Sequence, residues 1–481
     1  MLVLLRRASA LLAVGAIAAP PLAAQRNAPS TYAITNAKLV LVSAPSIEKG
    51  TIVVRDGLIA AIGANVNVPA DARVIDGTGL TVYPGLFDAY GSIGLPAAEG
   101  AAGRGGRAGG AAAPASTSRG TGLTFDSPRG VEPERMASEL IRVDEDALDG
   151  PRSAGITTAL TYPSGGVFEG QSALINLSGS SSAMIVKPAF AQHVSFGGGR
   201  GGGGGGGGYP GSLMGVFAVL RQELLDAQHY RDAKAAYEKN PRGAQRPEFD
   251  PSLEALLPVL SRQEPVVMEA NSQREIERAL DLGKEFGLKV IIAGGSEAYL
   301  VAPRLKAENV PVLLSANFPR KTAPTAPDAD PEPIRVLRER AEAPKGPGRL
   351  ATAGVKFAFE SGGVTTWSEY NANIQRAIEA GLTSEQAIKA LTWEPAELFG
   401  VSDRLGSLDV GKIANLTVTK GEIADKGMRI SQLFIDGRPV ALHPPAANAG
   451  RGGGGGAAPG GGAPAASPPA IQEDPRRESP R

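Results

Sequence analysis

The middle of the chain alternates between short apolar strands and amphipathic helices, and this alternation limits the fold more than any other feature. Runs such as LKVIIA (residues 288–293) and VPVLLS (310–315) are almost entirely apolar, which is typical of strands buried on both faces. Repeated βα units imply a parallel sheet, and about 300 residues of them favour a (β/α)8 TIM-like barrel, with a doubly wound sheet as the alternative. The pattern predicts strands over 155–160, 265–270, 288–293, 310–315 and 355–360, and helices over 133–150, 212–238, 273–286, 296–308, 367–380 and 383–399.

Both flanks of this α/β region have a β-rich pattern instead. Near the N-terminus, GTIVVRDGLIAAIG (residues 50–63) places Asp56-Gly57 between two apolar runs, and MRISQLFIDGRPVAL (428–442) does the same with Asp436-Gly437. Asp-Gly between apolar runs is a strong signal for a two-residue hairpin turn. We therefore predict hairpins at both ends of the chain.

Glycine-rich segments lie between the predicted elements and at the C-terminus. The insertions span residues 97–122 and 197–208, and a Gly/Ala/Pro-rich tail that we predict to be disordered spans 444–481. A phosphate-binding loop needs Lys and Ser or Thr after its glycines, whereas Tyr209-Pro210 follow here, so nucleotide binding is not expected. The insertions are either flexible loops at a barrel mouth or disordered segments.

Residues 1–24 have the pattern of a signal peptide. Arg6 and Arg7 precede an apolar stretch that ends in small residues, and polar residues follow. We expect an exported protein, periplasmic or extracellular, with no membrane span after leader cleavage. An uncleaved N-terminal anchor is the alternative.

Charge and residue content exclude several classes of function. The chain has 49 basic and 49 acidic residues, which does not fit a strongly basic nucleic-acid-binding protein. It has no cysteine, so thiol nucleophiles, disulfides and thiolate metal sites are excluded. Its three histidines, His193, His229 and His443, are too few for a histidine-rich metal centre.

Two segments resemble the amidohydrolase superfamily. VYPGLFDAYGS (residues 82–92) resembles the first barrel strand, where the family carries two metal-binding histidines. The C-terminal stretch 382–421, which ends in GSLDVGKIANLTVTKG, resembles the family's closing helices and return strand, and the resemblance is closest to the imidazolonepropionase-like branch. It implies a barrel over 83–403 and a small β-sandwich built from both chain ends, 31–82 and 404–443.

Matching the family pattern position by position predicts that its metal site is lost. The residues at the matching positions are Tyr90 and Ser92 on the first strand, His193 on the fourth, Glu269 on the fifth, Gly294 or Ala293 on the sixth and Gly362 on the eighth. The family uses zinc or a similar divalent metal, and zinc prefers imidazole, carboxylate or thiolate over phenol or hydroxyl. At most His193 and Glu269 can bind metal, which leaves too few ligands, so we predict no metal and no other cofactor.

The remaining polar residues support three hypotheses. The first is a non-catalytic barrel that binds a small molecule or peptide in a pocket containing Tyr90, Ser92, Gly294 and Gly362. The second is a non-catalytic subunit that forms a homo-oligomer or pairs with an intact amidohydrolase paralogue. The third is an active hydrolase of C–N bonds other than ordinary peptide bonds, with His193 as a base oriented by Glu269, or with Glu269 and Glu360 as a carboxylate pair.

Overall fold

The computed structural model describes residues 31–96, 130–196, 212–243, 245–321, 331–362, 364 and 366–442. The predicted signal peptide, both glycine-rich insertions, the C-terminal tail and His443 lie outside these residues. No helix within them is both long and apolar enough to cross a bilayer.

Strands and helices are numbered in chain order. The strands are β1 Thr31–Leu39, β2 Ile47–Arg55, β3 Leu58–Gly63, β4 Arg73–Asp76, β5 Leu80–Pro84, β6 Leu86–Gly91, β7 Ile156–Thr161, β8 Phe168–Gln171, β9 Ala173–Asn176, β10 Ile185–Lys187, β11 Gln192–Ser195, β12 Val266–Ala270, β13 Val290–Gly294, β14 Val312–Ser315, β15 Phe357–Glu360, β16 Leu416–Lys420, β17 Arg429–Ile435 and β18 Arg438–Val440. The helices are α1 Ala137–Leu140, α2 Glu145–Ser153, α3 Leu213–Lys239, α4 Pro251–Leu260, α5 Gln273–Phe286, α6 Ala302–Ala307, α7 Ile334–Glu342, α8 Gly346–Ala353, α9 Trp367–Glu379, α10 Ser384–Leu391 and α11 Trp393–Leu398.

The two ends of the described chain form one eight-stranded sheet, in the order β18-β17-β16-β5-β1-β2-β3, with β4 also paired to β1. Both predicted hairpins are present. Asp56-Gly57 joins β2 to β3 and Asp436-Gly437 joins β17 to β18, all four residues having positive φ, as a type I′ turn requires. A Cβ on Gly437 would lie 2.6 Å from the Cα of Gly57, so the two turns can approach this closely only because both positions are glycine. The sandwich form of this sheet and its boundary with the barrel stay predictions.

The middle of the chain forms two further sheets, ordered β10-β9-β7-β6 and β15-β14-β13-β12-β11-β8. Strands β11 to β15 are parallel in consecutive order, as is the pair β6 and β7. Their residues alternate between an inner cluster that includes Val267, Ile291 and Leu313 and an outer cluster that packs against the helices. The mixed α/β fold with parallel strands buried on both faces is therefore confirmed.

The first and last parallel strands meet through side chains. Ser361, directly after β15, donates from its backbone N–H (2.8 Å) and its hydroxyl (2.6 Å) to the carboxylate of Asp88 on β6. Within the described ranges, no backbone ladder joins β15 to β6 or β7 to β8. The closed eight-stranded barrel thus stays a prediction.

Three predicted helices are shorter or divided in the structure. The helix predicted over 133–150 is two helices, α1 and α2, because Ile141 is extended and the Asp144 side chain caps α2 by accepting from Ala147. The helix predicted over 383–399 divides into α10 and α11 at Thr392, which leaves helical geometry at φ −133°. The helix predicted over 296–308 is a 3-10 turn, Ala298–Leu300, followed by α6.

A buried amide network joins the C-terminal part of the composite sheet to β7 and β9. The Asn415 amide donates to the Thr158 hydroxyl (3.1 Å) and to the Asn176 side-chain oxygen (2.9 Å), and its own oxygen accepts from the Asp436 backbone N–H (2.8 Å). Asn176 in turn donates to the Asp436 carboxylate (2.7 Å). Each of these side chains would lose a hydrogen-bond partner if the C-terminal strands separated from β7 and β9.

We expect Asn415→Ala to lower the free energy of unfolding by about 2–3 kcal/mol, because it leaves several buried polar groups without partners. Urea unfolding followed by circular dichroism measures this change. Asn67→Ala, at an exposed position between β3 and β4, is the matched control and should have almost no effect. Equal losses in the two variants would contradict a clamping role for this network.

Candidate functional site

The candidate site lies at the carboxyl ends of the parallel strands, where ligand sites of α/β barrels occur. Strand alternation turns His193 and Ser195 of β11 inward, because Val194 between them packs in the outer cluster. Glu269 lies opposite Ser195 in the β11–β12 register, and Glu360 ends β15. The structure therefore brings the three predicted catalytic residues to the same end of the strands.

Three aromatic rings form a parallel cluster at this end, which we call the aromatic cluster: Tyr90, Tyr162 and His193. The ring centres of Tyr90 and Tyr162 are 4.1 Å apart, those of Tyr162 and His193 are 4.6 Å apart, and those of Tyr90 and His193 are 5.5 Å apart. Tyr90 and His193 are buried, whereas Tyr162 is partly exposed. Tyr162 is thus the ring of the aromatic cluster that solvent or a ligand can reach.

His193 does not have the partners of a general base. It is fully buried, and neither ring nitrogen has a hydrogen-bond partner among the described residues. Burial lowers the pKa of the imidazole to about 3, so the ring is neutral at physiological pH. The predicted orientation of His193 by Glu269 is absent, because the Glu269 carboxylate accepts from the Ser195 hydroxyl (3.3 Å).

Asp88 and Glu360 form one carboxylate pair. Asp88 is fully buried, and burial raises its pKa to about 6 against the opposing effect of its bonds from Ser361 and the Tyr90 backbone. Burial and the nearby Asp88 charge raise the pKa of Glu360 to about 8, although the Gly362 backbone N–H and the Ser315 hydroxyl both bond to it. Burial, and then the charges of these two carboxylates, raise the pKa of the Tyr370 phenol.

Glu169 and Glu269 form a second pair on either side of β11. Strand β8 pairs with one edge of β11 and β12 with the other, so the two acids flank the strand that carries His193. Glu169 is buried and accepts from the Gly165 backbone N–H (3.0 Å), while its second oxygen has no partner within the described residues. Burial raises the pKa of Glu169 to about 8, with a further contribution from Glu269. Burial also raises the pKa of Glu269.

The other predicted pocket residues are placed differently from one another. Gly294 ends β13 with φ +85°, and a Cβ there would lie 2.4 Å from the Asn271 side-chain oxygen, so a larger residue does not fit. Gly362 contacts the Glu360 carboxylate through its backbone N–H. Ser92 is exposed in a turn in which its carbonyl accepts from Leu95, and no contact joins it to the aromatic cluster.

Sequence reasoning missed Asp88, Glu169 and Tyr162. Asp88 stands in the same first-strand segment that predicts Tyr90, and Glu169 is an isolated acid in the otherwise uncharged run GGVFEGQS (residues 165–172). Tyr162 directly follows the apolar strand ITTALT. A polar residue at the end of each apolar strand was the sequence signal that could have identified them. The residue pattern does not predict the antiparallel strands β8 and β9.

The resemblance implies a divalent metal at this site. Within the described ranges, no group of three or more His, Cys, Asp or Glu side chains is placed to hold a metal ion. The one histidine at the site is fully buried and stacks on two tyrosine rings, and a phenol is a poorer zinc ligand than imidazole, carboxylate or thiolate. The residues at this site do not fit a zinc centre of the family's kind.

Comparison with known proteins supports the resemblance at the level of a domain and a fold. Residues 344–440 match the amidohydrolase family. This part of the chain carries an amidohydrolase family domain. Over 51 residues the chain is 47% identical to an enamidase from Eubacterium barkeri, a match that covers 10% of this chain and only 13% of that protein.

Solved structures share the architecture over most of the chain. An amidohydrolase from Thermotoga maritima superposes with a TM-score of 0.67 at 24% identity, covering 85% of this chain and 99% of that one. A prolidase complexed with N-methylphosphonate-L-proline superposes with a TM-score of 0.50 at 17% identity, covering 85% and 99%. At these identities the similarity establishes the fold and not the activity.

We expect the His193 imidazole resonance to show no titration between about pH 5 and pH 8, since burial keeps the ring neutral throughout this range. Proton–carbon NMR of protein labelled at the histidine ring carbons measures it, and the spectrum of His193→Phe identifies the resonance. A titration midpoint near pH 6.5 would show that water or a partner reaches this ring.

We expect the free energy of unfolding to fall as pH rises from about 4.5 to about 8. Over this range the unfolded chain loses the Glu169 and Glu360 protons while the folded chain retains them, which gives up to about 1.4 kcal/mol per pH unit for each group. Glu360→Gln should reduce this slope, because the amide resembles the protonated acid. Urea unfolding at several pH values measures the slopes, with exposed Glu385→Gln as control. Parallel curves for wild type and Glu360→Gln would refute the assignment.

Proposed function

We propose that this chain is an exported amidohydrolase-like protein that binds a small molecule at the carboxyl ends of its parallel strands without the family's metal chemistry. One observation carries the proposal: the position where the family would place metal-binding groups holds a buried His193 ring that stacks on Tyr162 and Tyr90 and has no hydrogen-bond partner among the described residues. The imidazolonepropionase-like branch is the proposed relationship, resting on residues 82–92 and 382–421.

Binding is favoured because the site contains polar groups whose bonding capacity is not used. Buried polar atoms are nearly always paired with protein or water, so unpaired ones mark a place where another molecule completes the bonding. The second oxygen of Glu169 and both nitrogens of His193 are of this kind in the described part of the chain. Partly exposed Tyr162 and Glu269 give a ligand a route to them.

A second candidate is C–N bond hydrolysis by the pair Asp88 and Glu360. The observation that favours it is that Asp88 bonds to Ser361, the residue directly after Glu360, which holds the two acids close together. Burial raises their pKa values to about 6 and about 8. At neutral pH Glu360 is mostly protonated and can donate a proton to a leaving amine. Asp88 can accept the proton of the attacking water once that water displaces one of its bonds from Ser361. Metal-independent hydrolysis of a cyclic amide that disappears in Glu360→Gln would favour this candidate.

Pairing with an intact paralogue remains a third proposal, which size-exclusion chromatography with that paralogue would test.

We expect the purified protein to contain less than about 0.1 zinc per chain, with no thermal stabilisation by added zinc, because tight binding normally needs three or four protein ligands. Elemental analysis and thermal unfolding measure the two quantities. A ligand at a thousand times its Kd would stabilise the fold by about 4 kcal/mol, so an unchanged Tm is informative.

His193→Ala and Glu269→Gln serve as matched variants in this experiment. Both should leave the metal content unchanged if the site holds no metal. Nearly one tightly held metal per wild-type chain, lost in either variant, would overturn the proposal and make metal-dependent hydrolysis the leading function.

A further inference from the structure

The acids beside β11 are not neutralised by basic side chains. The charge of Arg135 slightly opposes the rise in the pKa of Glu169, but Arg135 forms its ion pair with Glu132 (3.4 Å) and not with Glu169. The hydrogen-bond partner of the Glu269 carboxylate among the described side chains is the neutral Ser195 hydroxyl. Two carboxyl groups therefore face one site without a cation from the described chain to balance them.

The aromatic cluster lies between these two acids. His193 on β11 pairs in register with Gly170 next to Glu169, and Ser195 two residues later pairs with Glu269. The Tyr162 ring stacks on the His193 ring at 4.6 Å with an interplanar angle of only 6°. Burial first, and then the charges of Glu169 and Glu269, raise the pKa values of both tyrosine hydroxyls.

Buried polar atoms without hydrogen-bond partners are the second, independent indication of a ligand at this site. The second oxygen of Glu169 and the two nitrogens of His193 have no partner among the described residues, and both side chains are more than nine-tenths buried. Glu169 points inward because neighbouring Phe168 packs in the outer cluster. These unpartnered atoms and the aromatic cluster line the same end of the strands.

Resting on the proposed binding function, we propose that the site formed by Glu169, Glu269 and the aromatic cluster binds a small organic ammonium cation. Carboxylates supply the opposite charge, and aromatic faces attract ammonium groups through their quadrupoles. A hard divalent metal prefers six or more oxygen ligands, water included, and the aromatic faces that favour an ammonium group offer it none. A cation would favour the ionised forms of both acids, whereas an anionic or uncharged ligand would leave the pKa values of Glu169 and Glu269 raised.

The first experiment compares ligands of equal shape and different charge. The full-length protein is titrated with choline by isothermal calorimetry, then with 3,3-dimethylbutanol, which replaces the ammonium nitrogen by carbon, and with magnesium chloride. We expect saturable one-to-one binding of choline and at least about tenfold weaker binding of the uncharged alcohol. Equal binding of both, or no saturable binding of choline up to about 50 mM, would overturn the inference.

The second experiment asks whether choline binds where we place it. Glu169→Gln and Tyr162→Leu should each weaken choline binding about tenfold, since one removes the charge and the other an aromatic face. Glu223→Gln is the matched control, because Glu223 is also a buried acid with a raised pKa but lies on helix α3, outside the site. Unchanged affinity in folded Glu169→Gln and Tyr162→Leu would overturn the assignment, and the comparison of the two isosteres stands even if a variant fails to fold.

The outcome separates this inference from the proposed function. If the protein prefers the uncharged alcohol, or binds another uncharged or anionic molecule and loses this binding in Tyr162→Leu, the proposed binding function stands and the proposal of a cation is wrong. Tight magnesium or zinc binding that depends on Glu269 would reject both.

Discussion

The contact between Asp88 and Ser361 is the interaction on which the arrangement of the parallel strands depends. It joins β6, the first parallel strand, to the end of β15, the last, where no backbone ladder joins them in the described chain. Two hydrogen bonds to one carboxylate are strong because the acceptor is charged. They also require a carboxyl group in a fully buried position. The charge of that group contributes to the raised pKa of Glu360.

A buried carboxylate influences every titratable group near it. Asp88 makes ionisation of Glu360 unfavourable, and Glu269 does the same for Glu169. In a metal-binding relative of this fold, a divalent cation would balance such charges; here the described residues provide no metal-binding group, and protonation balances them instead. Burial first, and then the neighbouring acid, raises the pKa values of Glu169 and Glu360, and an organic cation is the chemistry that would favour their ionised forms.

Much of the fold could be predicted from local pattern. The helix 273–286 is found with its predicted bounds, because Ser272 and Glu275 form a capping box and Gly287 ends it in the left-handed conformation. Both Asp-Gly hairpins are likewise local. Errors occur where tertiary contacts override local preference, as at Ile141 and Thr392, where helical periodicity continues across a real break.

The sequence by itself determined which chemistry the site lacks, since a chain with three histidines and no cysteine cannot build a histidine-rich or thiolate centre at any geometry. It also determined that Tyr90, His193, Glu269 and Glu360 stand at strand ends. Only the tertiary structure decided their partners: His193 stacks on Tyr162, Glu269 bonds to Ser195, and Glu360 lies near Asp88, which is 272 positions earlier in the chain. The physical reason is that pKa values and hydrogen bonds depend on burial and through-space distance, which pairing between remote strands sets and residue order does not.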